Sequence, residues 1–198
     1  MPVKLTSVAG GAVTINPPNT ASTFTLTLPA ATANLVSTGD TGVISQTMIG
    51  SGMYAGYGPA FFAYNGGGAQ SVTSGVITKI ALTSTLFDTS ARFDTSLYRF
   101  LPLVAGYYQV NCNVLFGSVG IATSYVGVQL YKNGSSYSYT TNQPNNTNWA
   151  GSFLSTLVYL NGSTDYIEMY AQYQGSGTWQ AVAGAGYTSM SGYLARAS

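Results

Sequence analysis

Few side chains in this sequence can carry chemistry, and their spacing decides against most of it. Asp165 and Glu168 are a close pair of carboxylates, the residue type used in pairs for glycoside hydrolysis. On a run that reads as a strand, three residues apart means opposite faces, so the two do not converge on one bond. Asp88 and Asp94 flank Arg92 in a turn-rich stretch, which reads as solvated loop charge with an ion pair. Cys112 is the only cysteine and histidine is absent. The usual general base, the usual zinc ligand and any intramolecular disulfide are therefore missing. With no imidazole to activate it, Cys112 reads as a buried, inert thiol. The sequence is read as non-enzymatic, with no catalytic residue, no metal ligand and no cofactor.

What remains is recognition chemistry. Ser135 to Trp149 reads Ser-Ser-Tyr-Ser-Tyr-Thr-Thr-Asn-Gln-Pro-Asn-Asn-Thr-Asn-Trp, without a charge. Tyr and Trp supply rigid stacking planes and Asn, Gln, Ser and Thr supply neutral donors and acceptors, a combination suited to polar, uncharged ligands. Tyr137, Tyr139, Asn142, Asn146, Asn148 and Trp149 are the candidate binding residues, joined by Trp179 from a second aromatic loop, Tyr173 to Trp179.

The elements that must position these residues are strands. Period-two alternation puts Tyr108, Val110, Cys112, Val114 and Phe116 on one face and Tyr107, Gln109, Asn111 and Asn113 on the other. Val126, Val128 and Leu130 repeat the pattern. Asn133-Gly134 then supplies two residues that accept positive φ, as a tight hairpin requires. Asn161-Gly162 gives the same hairpin signal between Phe153–Leu160 and Tyr166–Tyr173, and Asn65-Gly66 closes Ala60–Tyr64. Further strands are expected at Val76–Leu82, Tyr98–Leu101 and Tyr187–Leu194. About eight strands over roughly 140 residues describe an all-β sandwich or jelly roll.

Composition narrows the partners. Charged residues make up 6% of the 198 and hydrophobic residues 45%, against about 25% charged in an ordinary soluble domain. Disorder is excluded. Lys4, Lys79, Arg92, Arg99, Lys132 and Arg196 are scattered, so no basic patch exists to displace counterions from nucleic acid or anionic lipid. The start, MPVKLTSVAGGAVTINPP, lacks a signal-type apolar run, and no segment reaches the ~18 apolar residues of a span. Neither secretion by the usual route nor membrane insertion is expected.

Residues 1–50 differ from the rest, with Pro2, Pro17, Pro18, Pro29 and one alternating strand, Thr23–Leu28. Its apolar face, Phe24, Leu26 and Leu28, is a candidate anchor, because so short and polar a segment orders against something else. Residues 51–58 read as a Gly-rich linker. The head is 59–198.

Several partial motifs then follow in a fixed order. They are Pro59-Ala60-Phe61-Phe62-Ala63; Phe93-Asp94 with Tyr98-Arg99-Phe100; Gly106-Tyr107-Tyr108-Gln109-Val110; Leu130-Tyr131-Lys132-Asn133-Gly134; Leu157-Val158-Tyr159-Leu160-Asn161-Gly162; and Ser191-Gly192-Tyr193-Leu194. In this order they resemble the globular head of complement component one-q, a TNF-like jelly roll. Tyr98 stands where that family usually has Gly, and Val110 where it has Phe, so the likeness is one of fold. The resemblance implies a homotrimer packed through an apolar inner sheet. Sixteen Tyr and eight Phe agree with it, since they exceed what a two-sheet core hides and large apolar patches mark interfaces. Some relatives of this fold bind calcium through loop carboxylates; no loop here clusters two acids, and no ligand is carried over.

Thr23 to Gly39 is similar to segments at the start of phage tail-fibre and virion appendage proteins. That resemblance implies a virion protein made in the bacterial cytoplasm, a short trimeric fibre or spike. Residues 1–50 would attach it to other virion proteins of tail or capsid. The head would bind a host surface glycan or protein through the candidate receptor-binding set. The alternative is a structural decoration or fibre with no essential ligand.

Overall fold

In the computed structural model the described residues are 3–6, 9–10, 12–15, 58–118, 123–144 and 149–198. The chain divides into two units, Met1–Ile44 and Ser45–Ser198. In the first, β1 (Val3–Thr6) pairs antiparallel with β2 (Ala12–Ile15), a pairing not expected from the sequence. The expected strand Thr23–Leu28, with Phe24, Leu26 and Leu28, lies outside the described residues, as does most of the linker.

The described part of the second unit is all β. Its strands are β3 (Ala60–Tyr64), β4 (Gln70–Val72), β5 (Thr78–Lys79), β6 (Ser84–Asp88), β7 (Phe93–Asp94), β8 (Arg99–Phe100) and β9 (Gly106–Ser118). They continue with β10 (Thr123–Lys132), β11 (Ser135–Asn142), β12 (Trp149–Leu160), β13 (Ile167–Gly175), β14 (Trp179–Ala181) and β15 (Ser189–Ala197). One sheet runs β11-β10-β13-β8-β7, with β5 also on β13. The other is built on β9: β12 lies along one side, while the opposite side is shared by β15, followed by β3 and β6, and by β14, followed by β4. The two antiparallel sheets make a jelly-roll sandwich, the expected fold class.

The core lies where the alternation puts it. Tyr108, Val110, Cys112, Val114 and Phe116 of β9 and Val126, Val128 and Leu130 of β10 are all fully buried, each large apolar side chain contributing about 1.5–3 kcal/mol. Two aromatic clusters join the sheets. At one end Phe61 stacks on Phe100 (4.2 Å between centroids) and on Phe93 (5.5 Å), and Phe100 meets Tyr108 edge-on. At the other, Tyr173 of one sheet packs against Trp179 (5.8 Å) and Phe116 (6.2 Å) of its partner.

The turns separate two kinds of Asn-Gly. Asn133 (φ 53°) and Gly134 (φ 76°) both take positive φ, closing the β10–β11 hairpin as expected. Asn161-Gly162 is not a hairpin. Strand β12 pairs with β9 and β13 with β10, so this segment crosses from one sheet to the other. Only Gly162 is at positive φ, 70°, and a Cβ there would stand 2.4 Å from the Ala105 nitrogen. The Asn161 Oδ1 instead accepts the N–H groups of Ser163, Thr164 and Asp165, which shapes a side-chain-capped loop.

Two expected strands shorten. Val76–Leu82 reduces to Thr78–Lys79, because the Gln70 amide bridges the Lys79 carbonyl and the Ala81 N–H in place of a ladder. Tyr98–Leu101 reduces to Arg99–Phe100, with Tyr98 at φ 51°. The sandwich also closes one side through side chains. Tyr137 Oη donates to the Leu157 carbonyl, Asn142 Nδ2 to that of Gly151 and Lys132 Nζ to that of Tyr159. The otherwise open rim of β12 is thereby covered from β10 and β11.

Candidate functional site

The strands give the head two ends. The chain enters at Pro59, whose carbonyl accepts the Leu194 N–H, and Gly106 lies opposite both Ala197 and Leu160 at that same end. Asn142 and Trp149 lie at the other: Asn142 is opposite Val126 near the start of β10, and Trp149 is opposite Gly117 near the end of β9.

The candidate binding residues do not share one surface. Tyr139 is 68% exposed and sits opposite Gln129, on the outer face of the β10–β11 sheet. Tyr137 is the extra residue of a bulge, half exposed but with its hydroxyl engaged by Leu157. Asn142 is exposed and its amide is held by Gly151. Trp149 is 53% exposed on the outer face of β12, its ring seated over Gly117, where a Cβ would lie 3.4 Å away. Asn146 and Asn148 lie outside the described residues.

Trp179 corrects the sequence reading. It is fully buried, not part of an exposed loop. The Gly-rich approach to it suggests a loop, but Trp179-Gln180-Ala181 forms β14 and alternates in, out, in, which turns the indole into the core.

A feature the sequence reading missed is the outer face of the β9 sheet. Tyr107, Phe153, Leu157, Tyr159 and Tyr193 stand exposed there in line with Trp149, and Tyr107 meets Tyr159 edge-on at 5.4 Å. Phe62 and Phe87 extend the face toward β6. Two of its polar side chains pair, Gln109 Nε2 donating to Ser155 Oγ, while Asn113 Nδ2 donates to the Tyr187 carbonyl. Among the described residues, the charge that the strand register sets in this face is Arg196, opposite Tyr107 at its rim. The signal was available in the outward positions of β9 and β12, each of which alternates with a core residue.

The ionisable groups are arranged as structure. Asp165 precedes β13 rather than lying on it, contrary to the sequence reading. It accepts from Lys132 Nζ (2.8 Å), Asn133 Nδ2 (2.7 Å) and the Asn161 N–H, which together hold its carboxyl below the usual range. Glu168 pairs with Lys79. Among the described residues the expected ion pair at Arg92 is not formed, because the Asp88 carboxylate accepts the backbone N–H groups of Ser90, Arg92 and Phe93. Asp94 likewise accepts from Ser96 and Leu97. Burial pushes the Cys112 thiol up to about 12, and no thiolate is available at neutral pH. Among the described residues no three His, Cys, Asp or Glu gather as a metal site.

No family model and no curated protein sequence matches the chain. Solved structures do. The globular domain of zebrafish complement 1qA protein aligns at TM-score 0.51 and 11% identity, over 71% of this chain and 99% of its own. Eiger TNF from S. frugiperda aligns at 0.56 and 9%, over 71% and 96%. Murine APRIL at pH 8.0 aligns at 0.53 and 11%, over 69% and 98%. The head is thus a jelly roll of the complement one-q and TNF type, a likeness of fold.

Proposed function

We propose that this chain is a non-enzymatic bacteriophage virion protein, a short homotrimeric fibre or spike made in the bacterial cytoplasm. Residues 1–50 attach it to the particle, and its head engages a neutral glycan or a protein on the host surface. The observation that carries this reading is the polarity of the head. The chain enters at one end while Asn142 and Trp149 lie at the other, separated by the 13 residues of β9, about 40 Å of strand. An anchor at the entering end presents the far end outward. The likeness of Thr23–Gly39 to phage fibre segments supports the choice of particle.

The aromatic outer face of the β9 sheet supports the trimer. A contiguous face carrying Tyr107, Phe153, Leu157, Tyr159 and Tyr193 is larger than scattered surface apolar residues, and further copies of the chain cover it. Trp149 continues that face, so Tyr139, on the opposite sheet, is the cleaner recognition plane. The second reading, a decoration without an essential ligand, is favoured by one observation: the polar groups of Tyr137 and Asn142 are already held inside the chain.

Two measurements on one set of variants test the proposal. Light scattering should give three times 20.6 kDa for the chain, and Leu157→Asp, which sets a carboxylate inside the covered face, should give monomer; a wild-type monomer removes the fibre reading. Particles carrying Tyr139→Ala should adsorb to host cells more weakly, with little dependence on moderate salt. Unchanged adsorption assigns the protein to decoration.

A further inference from the structure

The chain has only six basic and five acidic residues, yet Asp88, Arg92, Asp94 and Arg99 fall together at the β7 edge of the sandwich. There Arg92, Asp94 and Arg99 border a depression of about 260 Å³, which Ala91, Phe93 and Leu101 line with them. This is just below the roughly 300–1,000 Å³ of pockets that take drug-sized ligands, and suits a single ring.

Its walls are fixed before any ligand arrives. Asp88 Oδ2 accepts the N–H groups of both Arg92 and Phe93 at 2.6 Å, and Ala91 holds positive φ at 52°. The Leu101 N–H donates to the Arg92 carbonyl, and the Phe93 ring is anchored on Phe61 in the core.

The bonding inventory is uneven. The Asp88 carboxylate is occupied by backbone, Glu168 by Lys79, and Asp94 Oδ1 by Ser96 and Leu97. Among the described residues the Arg92 guanidinium has no ion pair or hydrogen bond. Arg99 lies over the Tyr166 ring at 4.9 Å, with its N–H donors likewise unengaged. Arg99 is opposite Asp94 in the β7–β8 pairing, which sets a carboxylate beside the two forks. The pocket therefore presents two planar donors that match a carboxylate, an acceptor that matches hydroxyls, and the apolar side chain of Leu101.

We propose that this pocket binds an acidic sugar, its carboxylate held by Arg92 and Arg99 and its ring hydroxyls donating to Asp94 Oδ2, the oxygen that Ser96 and Leu97 leave open. A bare anion such as phosphate satisfies the arginines and leaves Asp94 beside it repulsive and unused. A neutral sugar satisfies Asp94 and leaves both guanidinium groups unmatched. The pocket is on the sheet that does not carry the aromatic face, and it stands or falls independently of the virion reading.

The test is calorimetric titration of the full-length protein with glucuronate, glucose and inorganic phosphate. Glucuronate should bind saturably, at least tenfold tighter than glucose, and phosphate at equal concentration should not displace it. Arg92→Gln and Arg99→Gln should each weaken glucuronate about tenfold, the loss of one charge-assisted contact. Arg196→Gln, outside the pocket lining, should not. Thermal unfolding confirms that each variant is folded. Glucose binding as tightly as glucuronate, phosphate competing on equal terms, or unchanged affinity in Arg92→Gln each overturns the proposal.

Discussion

Trp179→Ala and Tyr139→Ala should behave in opposite ways, although both residues belong to the same aromatic vocabulary. Trp179 is fully buried between Phe116 and Tyr173, so truncation removes contacts to both sheets. Core Phe or Trp to Ala substitutions cost about 3–5 kcal/mol. Among the described residues the Trp179 Nε1–H has no hydrogen-bond partner, and losing a buried unpaired donor returns about 1–3 kcal/mol of desolvation cost. The expected net loss is therefore about 2 kcal/mol. For a chain of this size that lowers the melting temperature by roughly 4–8 °C. Tyr139 is 68% exposed, and surface changes stay within about 0.5 kcal/mol, or roughly 2 °C. Both variants and the parent should be melted by circular dichroism at one protein concentration, since association shifts the transition. A Trp179→Ala transition within 2 °C of the parent would refute the core assignment. A Tyr139→Ala shift as large as that expected of Trp179→Ala would make Tyr139 a packing residue and remove it from the proposed recognition surface.

Asp165 gives the protein an acid limit. Its carboxyl is held low, first by the Lys132 hydrogen bond and then by Asn133. That stabilisation is present above the unfolded value of about pH 4 and is lost as pH falls through the folded value. Asp165→Asn should melt lower than the parent at pH 7 and show a shallower decline below about pH 4; parallel curves would contradict the linkage. Cys112 should resist a thiol-specific reagent in the native protein and react fully in denaturant, because it is buried and its thiol is pushed up to about 12. Rapid native labelling would mean that β9 opens.

The strands and their inward faces are legible in the chain itself, because period-two alternation is a local property. Tyr108 to Phe116 and Val126 to Leu130 are buried as their spacing requires, and Asn133-Gly134 turns where two positive φ values are accepted. What spacing cannot encode is which strand lies beside which. Asn161-Gly162 has the same local chemistry as Asn133-Gly134, yet it joins two sheets, because β12 finds a longer partner in β9 and β13 finds β10. The same limit explains the aromatic residues. Trp149 and Trp179 both follow polar, turn-rich segments, but one strand turns its indole out over Gly117 and the other turns it into the gap between sheets. Asp88, Arg92 and Asp94 are visible in the sequence as one turn-rich group, and Arg99 as a separate charge. Only the pairing of β7 with β8 brings Arg99 opposite Asp94 and beside Arg92. Sequence alone determined the class of fold and the inward faces of β9 and β10, since both follow from residue type and local period. Tertiary structure decided which exposed side chains share a surface, since that depends on contacts between strands far apart in the chain.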